Sequence, residues 1–270
     1  MLFGVFVLIS LAAAVVVGLS AGIWAALGTL LGGVLLLCLG TFLYLLYLCS
    51  RVDQSVPQEE DDPHYRKVTD LILESVLPVL RIHIQKNGLE KMPQTGRFLL
   101  VCNHCSDSDP IILLRTLAKY QLAFVSKREN SSMFVIGPMM HKLLCQLINR
   151  ENDREALKTI LNCIQILKED KASVAVFPEG GILTEDGKLH HFKPGVFKIA
   201  QKARVPIVVC TLKNTLPVVS NILHLKPSHV QMNVLEVIPV ETVLAKKTVE
   251  IAEYCHDLMA ADLGPDLVSD

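Results

Sequence analysis

From residue 2 to residue 50 the chain carries no charged side chain; all 26 lysines and arginines and all 27 aspartates and glutamates lie from Arg51 onward. An uncharged apolar stretch of that length exceeds the roughly 20 residues a helix needs to cross a bilayer. In hydrocarbon the backbone must satisfy its own hydrogen bonds, so these residues are expected to be helical. Gly18 to Gly22 form a break rich in small residues. It splits the stretch into two expected spans, residues 2–18 and 23–49, joined by a tight turn. The first span sits near the lower length limit, so one long or re-entrant segment is the alternative. A secretory signal fits less well, because no basic residue follows Met1 and the apolar block is too long. Residues 18–22 also spell Gly-x-Ser-x-Gly, but a nucleophile elbow needs a preceding strand and an aqueous site, and this stretch has neither.

The charged remainder divides at residue 62. Residues 51–62 form an acidic linker containing Pro57 and four consecutive acids, Glu59 to Asp62, and residues 63–270 are expected to form one α/β domain. Arg51, Arg66 and Lys67 give a weak positive-inside bias, which places that domain on the cytoplasmic face and returns the N-terminus to the same side. A net charge of −1 gives no argument for nucleic acid as a partner. Eight cysteines are scattered along the chain, and Cys102 and Cys105 form a lone C-x-x-C with no second pair. Free buried thiols in a reducing compartment are expected, and no metal site.

Periodicity alternates between strand and helix after the linker. Residues 65–79 have helical spacing, with Val68, Leu71, Ile72 and Val76 on one face. Residues 81–85 alternate and end at Asn87 and Gly88, a turn signal. The run from Phe98 to Cys102 reads as a buried strand, 111–119 as helix and 122–126 as strand. The apolar segment 133–147 reads as plain core, with a pocket lining or lipid contact as the alternative. Asn152 caps a helix with Glu155 as its capping-box partner. Residues 173–177 form a strand, 196–203 a helix, 205–212 and 230–238 strands, and 241–260 a terminal helix. Strands alternating with helices argue for a mostly parallel sheet flanked by helices.

The chemistry concentrates at two strand ends. His104 follows the 98–102 strand at its carboxyl end, where α/β sheets present reactive groups. Asp109 lies five residues on, before Pro110 opens a helix. On one continuous helix five residues is about 140° of rotation, whereas across a turn the carboxylate can fold back to the imidazole. A carboxylate on one ring nitrogen fixes the tautomer and leaves the other nitrogen as a general base. The alternative is that Asp109 only caps the helix. Pro178, Glu179, Gly180 and Gly181 end the 173–177 strand in a turn whose N–H groups suit an anion, or which is a turn and nothing more. Lys127, Arg128 and Glu129 close the 122–126 strand, as a site contribution or a solvated cluster. His190 and His191 have no further ligand spacing and read as surface residues.

Asn103, His104 and Asp109 together resemble the N-H-x-x-x-x-D motif of the glycerolipid acyltransferases, the 1-acylglycerol-3-phosphate acyltransferase family. Phe177 to Gly180 resembles that family's F-P-E-G block, residues 137–150 its middle block ending in arginine, and Val205, Pro206 and Ile207 its V-P-I run. The resemblance implies a His104 general base oriented by Asp109, direct attack of an acceptor hydroxyl on an acyl thioester, and no covalent acyl-enzyme. It implies acyl-CoA or acyl carrier protein as co-substrate and no cofactor, with a lysophospholipid acceptor and membrane lipid as partners. It makes Glu179, Gly180, Arg150, Lys127, Lys193, Asn103 and Ser106 the substrate-binding candidates, Arg150 foremost for the acceptor phosphate. One departure stands out: the family's third block continues Thr-Arg, its arginine assigned to that phosphate, and here Gly181 and Ile182 stand in those places. Another lysophospholipid or an amino-lipid hydroxyl is therefore the alternative acceptor. A thioesterase-like hydrolase and a non-catalytic lipid-binding protein are the alternatives outside the class.

Overall fold

The computed structural model describes residues 2–149, 151–182 and 187–269. Both apolar spans are helices, α1 (Leu2–Ala21) and α2 (Ile23–Ser50). At 1.5 Å per residue they are about 30 Å and 42 Å long, sufficient to cross hydrocarbon. Helix α1 runs three residues past its expected end, so the break shrinks to Gly22, whose φ of 86° reverses the chain at a conformation that L side chains avoid. Ser10 and Ala14 are buried between the helices while Leu8, Leu19 and Leu31 face outward. Small residues inside and large apolar residues outside are the pattern of a helix pair solvated by lipid.

Residues 51–62 are held against the domain rather than hanging free. Asp62 caps α3 (Pro63–Val79), its Oδ1 accepting from the N–H groups of His64 and Tyr65. Asp61 pairs with Arg66 at 2.5 Å with both side chains largely shielded from water. Arg66 also donates to the carbonyls of Leu122 and Leu143, and Gln121 donates to Asp61. The base of the helical pair is fixed to the same place, with Tyr65 Oη donating to the Leu48 carbonyl at 2.9 Å. Leu48, Cys49, Tyr65 and Met139 form a small apolar cluster there.

The seven strands are β1 (Ile82–Asn87), β2 (Leu99–Cys102), β3 (Leu122–Lys127), β4 (Gln146–Ile148), β5 (Ser173–Val176), β6 (Ile207–Lys213) and β7 (Ser228–Ile238). They form one sheet in the order β1-β7-β6-β2-β5-β3-β4. Every neighbouring pair is parallel except β6 and β7. The remaining helices are α4 (Asp109–Thr116), α5 (Ile136–Lys142), α6 (Asp153–Lys168), α7 (Lys198–Ala203), α8 (Val218–Leu223), α9 (Val240–Ala245) and α10 (Thr248–Leu263). Alternate residues of β2 face opposite cores. Leu99 and Val101 pack with Cys163 of α6, Ile199 of α7 and Ile251 of α10. Leu100 and Cys102 pack with Leu77 of α3 and Ile112 of α4. Helices on both faces explain why the central strands read as unbroken apolar runs. The carboxyl ends of β2, β3, β5 and β6 consequently meet at one end of the sheet.

Three expectations change. The apolar segment 133–147 is not one element: α5 ends at Lys142, Leu144 takes a left-handed conformation (φ 59°), and β4 follows as an edge strand. The terminal helix is two helices, because Lys246 and Lys247 are extended and the Lys247 N–H donates to Glu250 at 2.7 Å, starting α10 afresh. Helix α8 lies in the β6–β7 connection, where six residues are too few for a periodic signal.

Candidate active site

Strand β2 ends and Asn103 takes over its pairing with a side chain. Its Oδ1 accepts from the Leu212 N–H at 2.8 Å and its Nδ2 donates to the Leu212 carbonyl at 3.0 Å, joining the strand end to β6. Asn103 is buried, and its Nδ2 also reaches Cys105 Sγ at 3.4 Å, so its amide fixes where the chain turns.

His104 comes next, on a turn folded back by the start of α4. Its Nδ1 lies 2.9 Å from Asp109 Oδ2. The same carboxylate oxygen accepts from the N–H groups of Cys105 and Ser106, at 2.7 and 2.8 Å. A carboxylate only accepts, so Nδ1 carries the proton and Nε2 is left with its lone pair. No described residue hydrogen-bonds Nε2. Asp109 is fully buried at the first turn of α4, where the exposed N–H groups and the helix dipole favour a negative charge. Capping and orienting thus coincide in one side chain. The imidazole stacks on Phe177 with centroids 4.0 Å apart, and Phe177 in turn stacks on Phe124. That apolar plate restrains one face of the ring, and the His104 side chain is about 14% exposed.

Glu179 differs from expectation. Its side chain is buried, with Oε1 accepting from the His104 N–H at 2.8 Å and Oε2 from the His190 N–H at 3.0 Å. It braces the turn that presents His104 and ties it to the 187–193 segment. Burial pushes its carboxyl up to about 7, partly opposed by those two donors. Gly180 has a φ of 88°, and its N–H closes the turn onto the Phe177 carbonyl at 3.0 Å, so that donor is engaged. Lys193 lies over this turn, its N–H donating to the Pro178 carbonyl. Its Cε and Nζ stand 2.8 Å from where a Cβ on Gly180 would be. Ser106 is buried inside the turn, with its Oγ 2.9 Å from Ser108 Oγ. Lys127 is exposed at the end of β3, two strands along the sheet from His104. Arg150 lies outside the described residues.

The pairing of His104 with Asp109 was legible in the sequence, and so was the approach of the Glu179 turn. The sequence reading missed the plate formed by Phe177, whose ring carries no reactive group to draw notice, and the splice made by Asn103. It also missed the thiol of Cys105, which donates to the Gly187 carbonyl at 3.4 Å beside the His104 turn. Among the described residues no group of three or more His, Cys, Asp or Glu side chains could hold a metal ion.

The sequence matches the family model described as Acyltransferase over residues 83–213. It is 34% identical over 160 residues to the chloroplastic 1-acyl-sn-glycerol-3-phosphate acyltransferase of Arabidopsis thaliana, covering 57% of this chain and 43% of that one. To the 1-acyl-sn-glycerol-3-phosphate acyltransferase of Bacillus subtilis it is 30% identical over 133 residues, covering 49% and 64%. The chain thus spans less than two thirds of each of these relatives. The crystal structure of the 1-acyl-sn-glycerophosphate acyltransferase PlsC from Thermotoga maritima superposes with a TM-score of 0.62, covering 81% of this chain and 85% of that one. At 21% identity that likeness speaks to the fold. The family match, the sequence relatives and the shared fold agree: residues 83–213 form an acyltransferase domain, similar to that of the 1-acyl-sn-glycerol-3-phosphate acyltransferases.

Proposed function

We propose that this protein is an O-acyltransferase that moves an acyl chain from a thioester, acyl-CoA or acyl carrier protein, to the free hydroxyl of 1-acylglycerol-3-phosphate. The observation that carries this reading is the His104 imidazole, held through Nδ1 by the buried Asp109 with Nε2 open to the cleft. Nε2 takes the hydroxyl proton as the oxygen attacks the thioester carbonyl. The intermediate collapses with C–S cleavage, and the imidazolium returns the proton to the departing thiolate. An ester bond forms, a thioester bond breaks, and no acyl-enzyme or cofactor is required. Asp109 stabilises the transient imidazolium, and general-base help of this kind is typically worth about 10²–10⁴ in rate. Relatives named as acting on 1-acyl-sn-glycerol-3-phosphate support this choice of acceptor.

With Gly181 and Ile182 in place of Thr-Arg, Lys193 is the cation over the Glu179–Gly180 turn, and we assign it the acceptor phosphate, with Lys127 and Arg150 as further candidates. The apolar helices, residues 1–50, anchor the protein as a multi-pass membrane segment. Residues 51–62 connect it to the catalytic domain, residues 63–270, on the cytoplasmic face. Acceptor and product then reach the cleft from the bilayer in which they partition.

The test is product analysis by mass spectrometry with the purified full chain in nanodiscs. The inputs are acyl-CoA or acyl carrier protein thioester with 1-acylglycerol-3-phosphate or other lysophospholipids. Phosphatidic acid is the expected product, and Lys193→Ala is expected to raise KM for that acceptor at least about tenfold, the scale of a lost charge-assisted hydrogen bond. Free fatty acid as the product with every acceptor would reject transfer in favour of hydrolysis.

A further inference from the structure

The connection between β6 and β7, residues 214–227, leaves the sheet at the end that carries His104, since β2 and β6 are parallel with Cys102 paired to Cys210. Leu216 lies over Gly187, whose Cβ, if present, would stand 3.1 Å from Leu216 Cδ2. The Gly187 carbonyl accepts from the Cys105 thiol beside His104, so this connection lies next to the His104 turn. Its inner side is packed: Val218 is buried and Ile222 joins the core shared with α3 and α4. Its outer side is bare. Leu223 is 77% exposed and Leu225 81%, more than any other large apolar residue outside the two N-terminal helices among the described residues. They match Leu31 (70%) and Leu19 (87%) on those helices. Leu225 also adopts a φ of 55°, a conformation that costs a leucine energy, and Arg81 Nη1 holds it there by donating to its carbonyl at 2.9 Å. A strained, outward leucine contributes nothing to the packing of the domain.

Charge and position indicate what covers it. Within the connection, residues 214–227, there is no aspartate or glutamate, and Lys226 is its cation. Lys226 and Arg81, both exposed, flank the leucines directly. Helix α3 lies on the same face of the sheet as α8; it exposes Val76 and Val79 near Arg81 and carries the base of the apolar helix pair at its other end. Bare aliphatic residues flanked by Lys226 and Arg81 suit an anionic lipid surface, where apolar side chains enter about 5–10 Å and the cations remain among the headgroups.

We infer that α8 and the turn after it are a second bilayer contact, inserted at headgroup depth in an anionic leaflet beside the His104 turn. This rests on the membrane reading of α1 and α2, and not on the acyl-transfer reading. Trp24 is the single tryptophan and lies on α2, so it reports separately on the helix pair. In the full chain, Trp24→Phe is combined with Leu223→Trp or with Leu225→Trp and reconstituted in phosphatidylcholine vesicles containing phosphatidic acid. A control reporter, Leu161→Trp, sits on α6 across the sheet. Both test reporters are expected to emit at shorter wavelength than the control and to be quenched at least about twofold by brominated acyl chains, as is Trp24 in the unaltered chain. Emission at the control's wavelength, quenched by aqueous iodide and not by brominated lipid while Trp24 remains quenched by lipid, would overturn the assignment. Loss of Trp24 quenching as well would reject the membrane reading of the helix pair, and this inference with it.

Discussion

At the scale of single residues the site depends on one carboxylate oxygen. Asp109 Oδ2 gathers three donors, the imidazole and two backbone N–H groups, so one side chain sets both the turn and the ring orientation. An amide oxygen accepts more weakly than a carboxylate. Asp109→Asn is therefore expected to lower kcat about 10²–10⁴-fold with bulk secondary structure retained, read by steady-state kinetics beside circular dichroism. Asn103 makes the opposite case. It touches the Leu212 backbone through both ends of its amide, and Asn103→Leu would leave a buried N–H and carbonyl without partners. A loss of about 2–6 kcal/mol in denaturant unfolding is expected, at about 1–3 kcal/mol for each of the two orphaned groups. Near-unchanged stability would mean that the side chain faces substrate after all.

At the scale of elements, Glu179 links two strand-end turns, and its raised carboxyl gives that link a pH signature. A folded-state value of about 7 against an ordinary 4.5 means that the folded protein binds this proton more tightly than the unfolded chain. Its contribution is complete below about pH 4.5 and is lost as pH rises to about 7, amounting to roughly 3 kcal/mol at most. Glu179→Gln is expected to flatten the fall in stability across that window, measured by denaturant midpoints at a series of pH values. The buried Asp61–Arg66 pair fixes the start of α3, and Asp61→Leu leaves the guanidinium without its charge partner; a loss of about 3–5 kcal/mol is expected. The sequence displayed the elements that repeat themselves. Long apolar runs revealed the helix pair and the central strands, and a histidine at a strand end revealed the site. It did not display β4 or α8, too short for periodicity, or the break at Lys246 and Lys247, where two extended residues follow a good helical pattern. Asn103, Ser106 and Glu179 were noticed at the right positions, but their contacts to Leu212, Ser108 and the His104 and His190 N–H groups were not legible, because a motif does not record which way a side chain faces.

At the scale of the whole molecule, the helix pair and the domain are joined by side-chain contacts at their base, so the cleft holds a fixed orientation to the apolar helices. Under the proposed function that fixed orientation would let the acceptor hydroxyl reach Nε2 while the acyl tail stays in hydrocarbon. The central claim is that His104 removes the proton from an acceptor hydroxyl during direct acyl transfer. Its most direct test is the rate of thiol release from acyl-CoA by the purified full chain, with and without 1-acylglycerol-3-phosphate, for the unaltered protein and His104→Ala. Release that requires the acceptor and falls at least about a hundredfold in the variant is the expected result. Equal release without acceptor, or activity that survives His104→Ala, would contradict it.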